Sequence, residues 1–385
     1  MDLLDSKAIG SLSGAAVGDA LGGAAEGNPS EVIRQRYGGY IDGIVGPFYE
    51  DWRTARPIAP YHKGDGHVTD DTLMTMALVD VYSTVQDHLD AYSIAEHLVP
   101  LLIGEKRWIP EFESEGLLLH RIFLAEKWIV TRLHYGHVDP REAGVGNIVN
   151  CGAAMYAAPI GIANAGSSST AYAEAIDVAG AHQSSYGREA AGVFAAAVAE
   201  AMTPGATVNS VIGSVLRLAK DGTADAIDSV VEVASRHSDW REAIPELRKA
   251  VAPFDTVGEN YRSPARDARR PSRTMSIEEL PIALGFLVVT DGDYRDAVLG
   301  SVNYGRDSDS IASMAGAIAG ALGGADSVPT EWSTTVGENS RLDLVSPGLR
   351  MAETARQIWS KDQDRAALRG ASFAALLEPA GVAVS

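Results

Sequence analysis

Cysteine is all but missing: Cys151 is the only one in 385 residues. That excludes an internal disulfide framework, and a single thiol fits a reducing compartment, the cytoplasm. Positive charge is also short. Lys and Arg number 32 against 51 Asp and Glu, a net charge of −19. So acidic a chain does not hold nucleic acid by neutralising phosphates; it suits a protein whose acidic site holds cations. No basic-then-apolar leader opens the sequence, since Leu3 and Leu4 are followed at once by Asp5 and Lys7. The longest small-apolar runs are glycine-rich and shorter than a bilayer span, so no membrane helix is expected. Alternating Val and Ile runs of strand length are missing, as are heptads and tandem repeats. So is the close His/Cys spacing of a zinc site.

Hydrophobic residues make up 46% of the chain, enough for a large core. Their helical spacing predicts an all-α fold, a single domain over residues 1–385. After a first helix within Lys7–Gly27 comes an irregular flap, about residues 27–68, with Pro47, Pro57 and Pro60 among aromatics Tyr40, Phe48, Tyr49, Trp52 and Tyr61. A helix starts at Thr69-Asp70-Asp71-Thr72, and amphipathic pieces follow at 93–103 and 113–132. A Gly/Asn/Ala stretch from Pro140 to Gly166 precedes helices at 171–181, 185–202, 208–219, 224–235 and 240–251. Phe254 to Ser276 is charged and irregular, with Arg262, Arg266, Arg269, Arg270 and Arg273, and a buried helix is expected over 278–289. A helical tail, about 346–379, reads as two amphipathic helices.

Two segments share an unusual stripe. Gly10, Gly14, Gly18 and Gly22 recur every four residues, and so do Ala312, Gly316, Gly320 and Gly324. Each glycine within a helix costs up to about 1 kcal/mol relative to alanine; beside the reading of two alanine-rich helices that merely tolerate glycine, the doubled spacing favours two helices that cross with their backbones in contact. Both carry acid. Asp19 lies in the first stripe, and Asp307 and Asp309 open the second, in Asn303-Tyr304-Gly305-Arg306-Asp307-Ser308-Asp309-Ser310. A helix N-terminus favours negative charge, so Asp70, Asp71, Asp307 and Asp309 form two acidic pairs, each at a helix start, about 235 residues apart in the sequence. Brought together, two carboxylates about 4 Å apart repel by roughly 4 kcal/mol at an effective dielectric near 20. One divalent ion leaves four such charges at −2, whereas two balance them. All-oxygen donors with hydroxyls on Thr69 and Ser310 suit Mg²⁺ or Mn²⁺.

The ordered trio of Gly18-Asp19-Ala20-Leu21-Gly22, Thr69-Asp70-Asp71-Thr72 and Gly305-Arg306-Asp307-Ser308-Asp309-Ser310 resembles the ADP-ribosylglycohydrolase family, which includes the dinitrogenase-reductase-activating glycohydrolases. The resemblance spans about residues 7–325. It implies an all-α fold with a binuclear Mg²⁺ or Mn²⁺ centre, its ligands on Thr69, Asp70, Asp71, Asp307, Asp309 and Ser310. It also implies Glu26 beside metals and substrate, with Asp70 or Asp309 positioning the attacking water, and an ADP-ribosylated protein or small ribosyl compound as substrate. The substrate-binding residues would be Glu26, Asn150, Cys151, Gly152, His182, Tyr304 and Gly305.

The chain departs from the family at the loop that lines the diphosphate, which usually carries Asn and ends in Met-Arg. In Asn150-Cys151-Gly152-Ala153-Ala154-Met155-Tyr156, Cys151 takes the place of the Asn and Tyr156 that of the Arg; a one-residue shift lets Asn150 serve. His182 has a structural reading at a helix boundary beside the site reading, Cys151 a core reading beside a reactive one, and the Arg262–Arg273 cluster a solvated reading beside a phosphate one. Three alternatives to an ADP-ribosyl hydrolase stand: a hydrolase of small nucleoside or nucleotide ribosyl metabolites, a non-catalytic ADP-ribose-binding or structural relative, and a metal-dependent phosphoesterase.

Overall fold

The structure is a computed structural model; it describes residues 1–54, 62–255 and 277–378. Its first helix, Leu3–Gly23, opens on a capping box between Asp2 and Asp5 and is buried from Lys7 onward. Against it lies the helix Ser308–Gly323, antiparallel and almost wholly buried. The glycine stripes face one another. A Cβ at Gly14 would stand 2.5 Å from the Gly316 carbonyl oxygen, one at Gly18 2.6 Å from the Ala312 carbonyl carbon, and one at Gly22 2.6 Å from that of Ser308. No side chain fits there, so the two ends of the chain meet backbone to backbone.

This pair is the centre of the molecule. Tyr294–Tyr304, Glu279–Val289, Ser185–Ala201 and the first half of Ser346–Leu377 pack around it, and one apolar cluster runs through all of them. Lys7, buried near the start of the first helix, donates to the carbonyls of Ala201 (2.8 Å), Ala321 (2.7 Å) and Leu322 (3.2 Å). A cation thus sits on the negative ends of two helices. Burial lowers its pKa.

The architecture is all-α, as expected, with differences of detail. The expected helix over 113–132 begins instead as a strand: Lys106–Ile109 pairs antiparallel with Ser114–Leu117, and only then come the short helices Leu118–Arg121 and Leu124–Val130. A four-residue strand is too short to show alternation. The flap is not wholly irregular, since Ser30–Tyr37 is helical and ends on Gly38 at φ +73°. The tail is one helix, Ser346–Leu377, rather than two. Trp240–Val251 matches its expected bounds. Pro57, Pro60, Tyr61 and the Arg262–Arg273 cluster lie outside the described residues. No described helix is long and apolar enough to cross a membrane.

Candidate metal centre

Three helix ends converge where the glycine crossing finishes. Thr69 caps the helix Asp70–Val85, its hydroxyl oxygen accepting from the Asp71 N–H. Asp19, fully buried on the first helix, reaches that same N-terminus. It accepts from the Thr69 N–H (2.9 Å), the Thr72 N–H (3.2 Å), the Thr69 hydroxyl (2.6 Å) and the Thr72 hydroxyl. This is an anion on a helix N-terminus. Gly22 lets the start of the Ser308–Gly323 helix approach within backbone contact, 2.7 Å from a Gly22 Cβ to Asp309 Cα. Oxygens of Asp19, Asp71 and Asp309 consequently lie within 4.8 Å of one another.

A second strap brings in Glu26. The Gly27 N–H donates to the Arg306 carbonyl (2.6 Å), the Arg306 N–H to that of Asn28 (2.8 Å), and Pro29 bridges to Gly305. Gly305 and Arg306 take positive φ, +78° and +60°, to make this turn. The Arg306 guanidinium holds it from behind through Glu278 (2.6 Å) and Asp255 (2.9 Å). Glu26 thereby comes to Asp309, together with His62: donor atoms of Glu26, His62 and Asp309 lie within 4.8 Å of one another. A third group, Cys151, Glu279 and Asp307, is equally close, with the Cys151 thiol donating to Asp307 at 3.3 Å.

The structure therefore brings together Glu26, Thr69, Asp71 and Asp309, with Asp307, Cys151 and Ser310 alongside; all are buried. Asp70 is outside the three close groups and has partners of its own. Its oxygens accept from Arg121 (2.9 Å) and the Phe123 N–H (3.0 Å). Asn150 holds its own loop, accepting from the Gly152 N–H (3.1 Å) and Gln183 (2.8 Å). Gly152 packs where a Cβ would press on Glu126. His182 is fully buried, stacked on Tyr156, bonded to its hydroxyl at 3.0 Å and 3.4 Å from Glu126. Tyr304 donates to Glu278 (2.6 Å), so it and Gly305 support the turn that carries Asp307.

Asp19, His62, Glu111 and Arg121 were not among the expected site residues. Asp19 had a signal, an acid inside a small-residue stripe that packs on another backbone. The others had none, because nothing in their spacing links the flap and the hairpin to the two helix starts.

Electrostatics follow from burial. Burial and the charge of Asp309 push the Asp19 carboxyl up to about 6 against the hydrogen bonds from Thr69 and Thr72. Burial, then Asp309 and Asp19, raise Asp71 well above the carboxylate range. Burial would lower the His62 pKa, but hydrogen bonds to Asp309 and Glu111 outweigh it and carry it to about 9. Burial would raise Glu111, yet the charge of Arg121 and hydrogen bonds from His62 and Arg121 bring it to about 2. Burial and the neighbouring Asp307 raise the Cys151 thiol. The acids of the cluster outnumber the one positive charge that His62 brings to it. Among the described residues Asp71 Oδ1 is buried with no hydrogen-bond partner, a cost of about 1–3 kcal/mol that a cation removes, so the oxygen-rich donor set fits a hard divalent ion.

Fold and site define an all-helical protein built around a candidate cation centre at the crossing of its first and Ser308–Gly323 helices. The chain belongs to the ADP-ribosylglycohydrolase family, whose model matches residues 1–367. It is 26% identical to the ADP-ribosylarginine hydrolase Tri1 of Pseudomonas putida over 352 residues, covering 89% of this chain and 77% of that protein. It is 29% identical to an uncharacterized protein of Archaeoglobus fulgidus over 340 residues, 86% of this chain and 91% of that one. Among solved structures, an ADP-ribosylglycohydrolase-related protein complex matches with a TM-score of 0.60 at 20% identity, covering 92% of this chain and all of that one; this likeness bears on the fold.

Proposed function

We propose that this chain is a divalent-metal-dependent hydrolase that cleaves the glycosidic bond between the ribose anomeric carbon of an ADP-ribosyl group and its acceptor. The observation that carries the reading is the buried meeting of Asp19, Asp71 and Asp309 with Glu26 beside them. Thr69, Asp70, Asp71, Asp307, Asp309 and Ser310, with Asp19, are the residues that would hold two Mg²⁺ or Mn²⁺ ions. Bound ions supply Lewis acidity and orient the ribose hydroxyls. The chain's own part is electrostatic. Carboxylates aimed at the anomeric carbon stabilise its oxocarbenium-like charge, and burial strengthens that effect. Of the two candidates for orienting water, Asp309 is the one grouped with Asp19 and Asp71 and with Glu26, whereas Asp70 accepts from Arg121 and Phe123 outside those groups. ADP-ribosyl-arginine is the first acceptor to test, given the similarity to a hydrolase of that name.

The test is chromatography of ADP-ribosyl-arginine peptide after incubation with chelated protein, with and without Mg²⁺ or Mn²⁺. Free ADP-ribose released only with metal is the expected result. Free phosphate instead would indicate a phosphoesterase, and intact peptide a binding protein. A second reading, a small ribosyl metabolite as substrate, draws on Tyr156, which is buried against His182 where the family carries a phosphate-side arginine. Faster cleavage of simple nucleosides than of ADP-ribosyl-arginine would favour it.

A further inference from the structure

We propose that His62 is itself a metal ligand, placing an imidazole nitrogen beside Glu26 and Asp309 and tilting the centre towards first-row transition ions over Mg²⁺. The proposal rests on the metal-dependent reading above and goes beyond it, since the motif-derived ligands are all oxygen.

The position of the ring is the main argument. Nε2 lies 3.2 Å from Asp309 Oδ2 and in hydrogen-bond contact with Glu26 Oε2, and only 9% of the side chain is exposed. Its donor atom and one from each acid fit within 4.8 Å, the spread of ligands around one ion. A histidine paired with two carboxylates also occurs as a simple structural ion pair. Here, however, Asp309 is shared with Asp19 and Asp71, and Asp71 Oδ1 is buried without a hydrogen-bond partner among the described residues. The imidazole thus joins a group still short of cations.

The far side of the ring carries the second argument. Metal-bound imidazoles commonly donate their other N–H to a carboxylate, which fixes the tautomer. Nδ1 of His62 stands 3.7 Å from Glu111 Oε1 and 3.0 Å from the Arg121 guanidinium, which itself holds Glu111 at 2.7 Å. Here Nδ1 accepts from Arg121, which can only donate; ligation through Nε2 would move the ring proton to Nδ1, with Glu111 Oε1 the nearest carboxylate to take it in place of the guanidinium. Arg121 also occupies Asp70, so one arginine orients both this carboxylate and an acid of the Asp70–Asp71 pair. Imidazole suits later first-row ions better than Mg²⁺, which prefers oxygen and water.

The experiment is pulsed electron paramagnetic resonance on the full chain loaded with Mn²⁺, with calorimetry for Mn²⁺ and Mg²⁺. The wild type should show ¹⁴N modulation from a directly bound imidazole, replaced by a ¹⁵N pattern when histidine is ¹⁵N-labelled. His62→Ala and the more conservative His62→Gln should lose the modulation. They should also weaken Mn²⁺ about tenfold or more while changing Mg²⁺ less than about threefold. The labelled wild type keeps the proposal testable even where a variant folds poorly. Bound Mn²⁺ without nitrogen coupling, coupling that survives in both variants, or tighter Mn²⁺ binding in them would overturn the proposal and leave the metal-dependent reading intact. No Mn²⁺ binding by the wild type would overturn the proposal, and binding of neither Mn²⁺ nor Mg²⁺ would overturn both.

Discussion

At the scale of residues, the centre trades stability for charge. Asp71 sits among Asp19, Asp309, Asp70 and Asp307, all of which raise its pKa along with burial. Without a cation the fold must either keep the repulsion, which reaches roughly 4 kcal/mol per close pair, or hold a proton there. Asp71→Asn removes that burden and a ligand together. In chelator the variant should unfold at higher urea than the wild type, by about 1–3 kcal/mol. With saturating Mn²⁺ the order should reverse, because a bound ligand stabilises only the protein that binds it. Urea curves that show the variant weaker in both conditions would mean that Asp71 is a structural hydrogen-bonding residue.

At the scale of elements, the glycine crossing sets the distance between Asp19 and Asp309. Gly18 faces the Ala312 carbonyl, which has no way to give. Gly18→Ala should therefore cost about 2 kcal/mol or more, although alanine is the better helix former. Gly370 provides the contrast. It lies in the exposed half of the final helix with nothing near its missing Cβ, and Gly370→Ala should stabilise by up to about 1 kcal/mol. Thermal melts of the two variants moving in the same direction would refute the close crossing as the cause.

At the scale of the whole molecule, the last helix is tied to the body through a buried polar clasp. Glu174 accepts from Tyr82 (2.7 Å), Asn164 (2.7 Å), the Leu89 N–H (2.8 Å) and His88 (2.5 Å), while His88 bonds Asp362 on the final helix at 2.9 Å. The hydrogen bond to Glu174 raises the His88 pKa to about 9 against the burial that lowers it. The unfolded value is about 6.5. The folded state therefore binds this proton more tightly, so the stabilisation is complete below about pH 6.5 and is lost as pH rises through about 9. Denaturation at pH 6.5 and 9.5 should differ by about 1–2 kcal/mol from this group, less than the full shift because it is only half buried. His88→Gln should flatten the difference. An unchanged pH slope would remove His88 from the clasp.

The sequence by itself determined the all-α class, the two acidic helix starts and the crossing of the glycine stripes. Each of these is local or periodic: a cap and first-turn acids at Thr69–Asp71, and a four-residue spacing that puts the glycines on one face of each helix. The hairpin at 106–117 escaped because its strands are four residues long. Tertiary structure alone decided which acids meet. Asp19 entered the centre because its stripe ends at Gly22, against Ser308, whereas Asp70 turned to Arg121 on a segment 51 residues away. His62 and Glu111 reached the same place from the flap and the hairpin. Their sequence neighbours carry no trace of this, because the charge interactions that join them depend on distance in space and not along the chain.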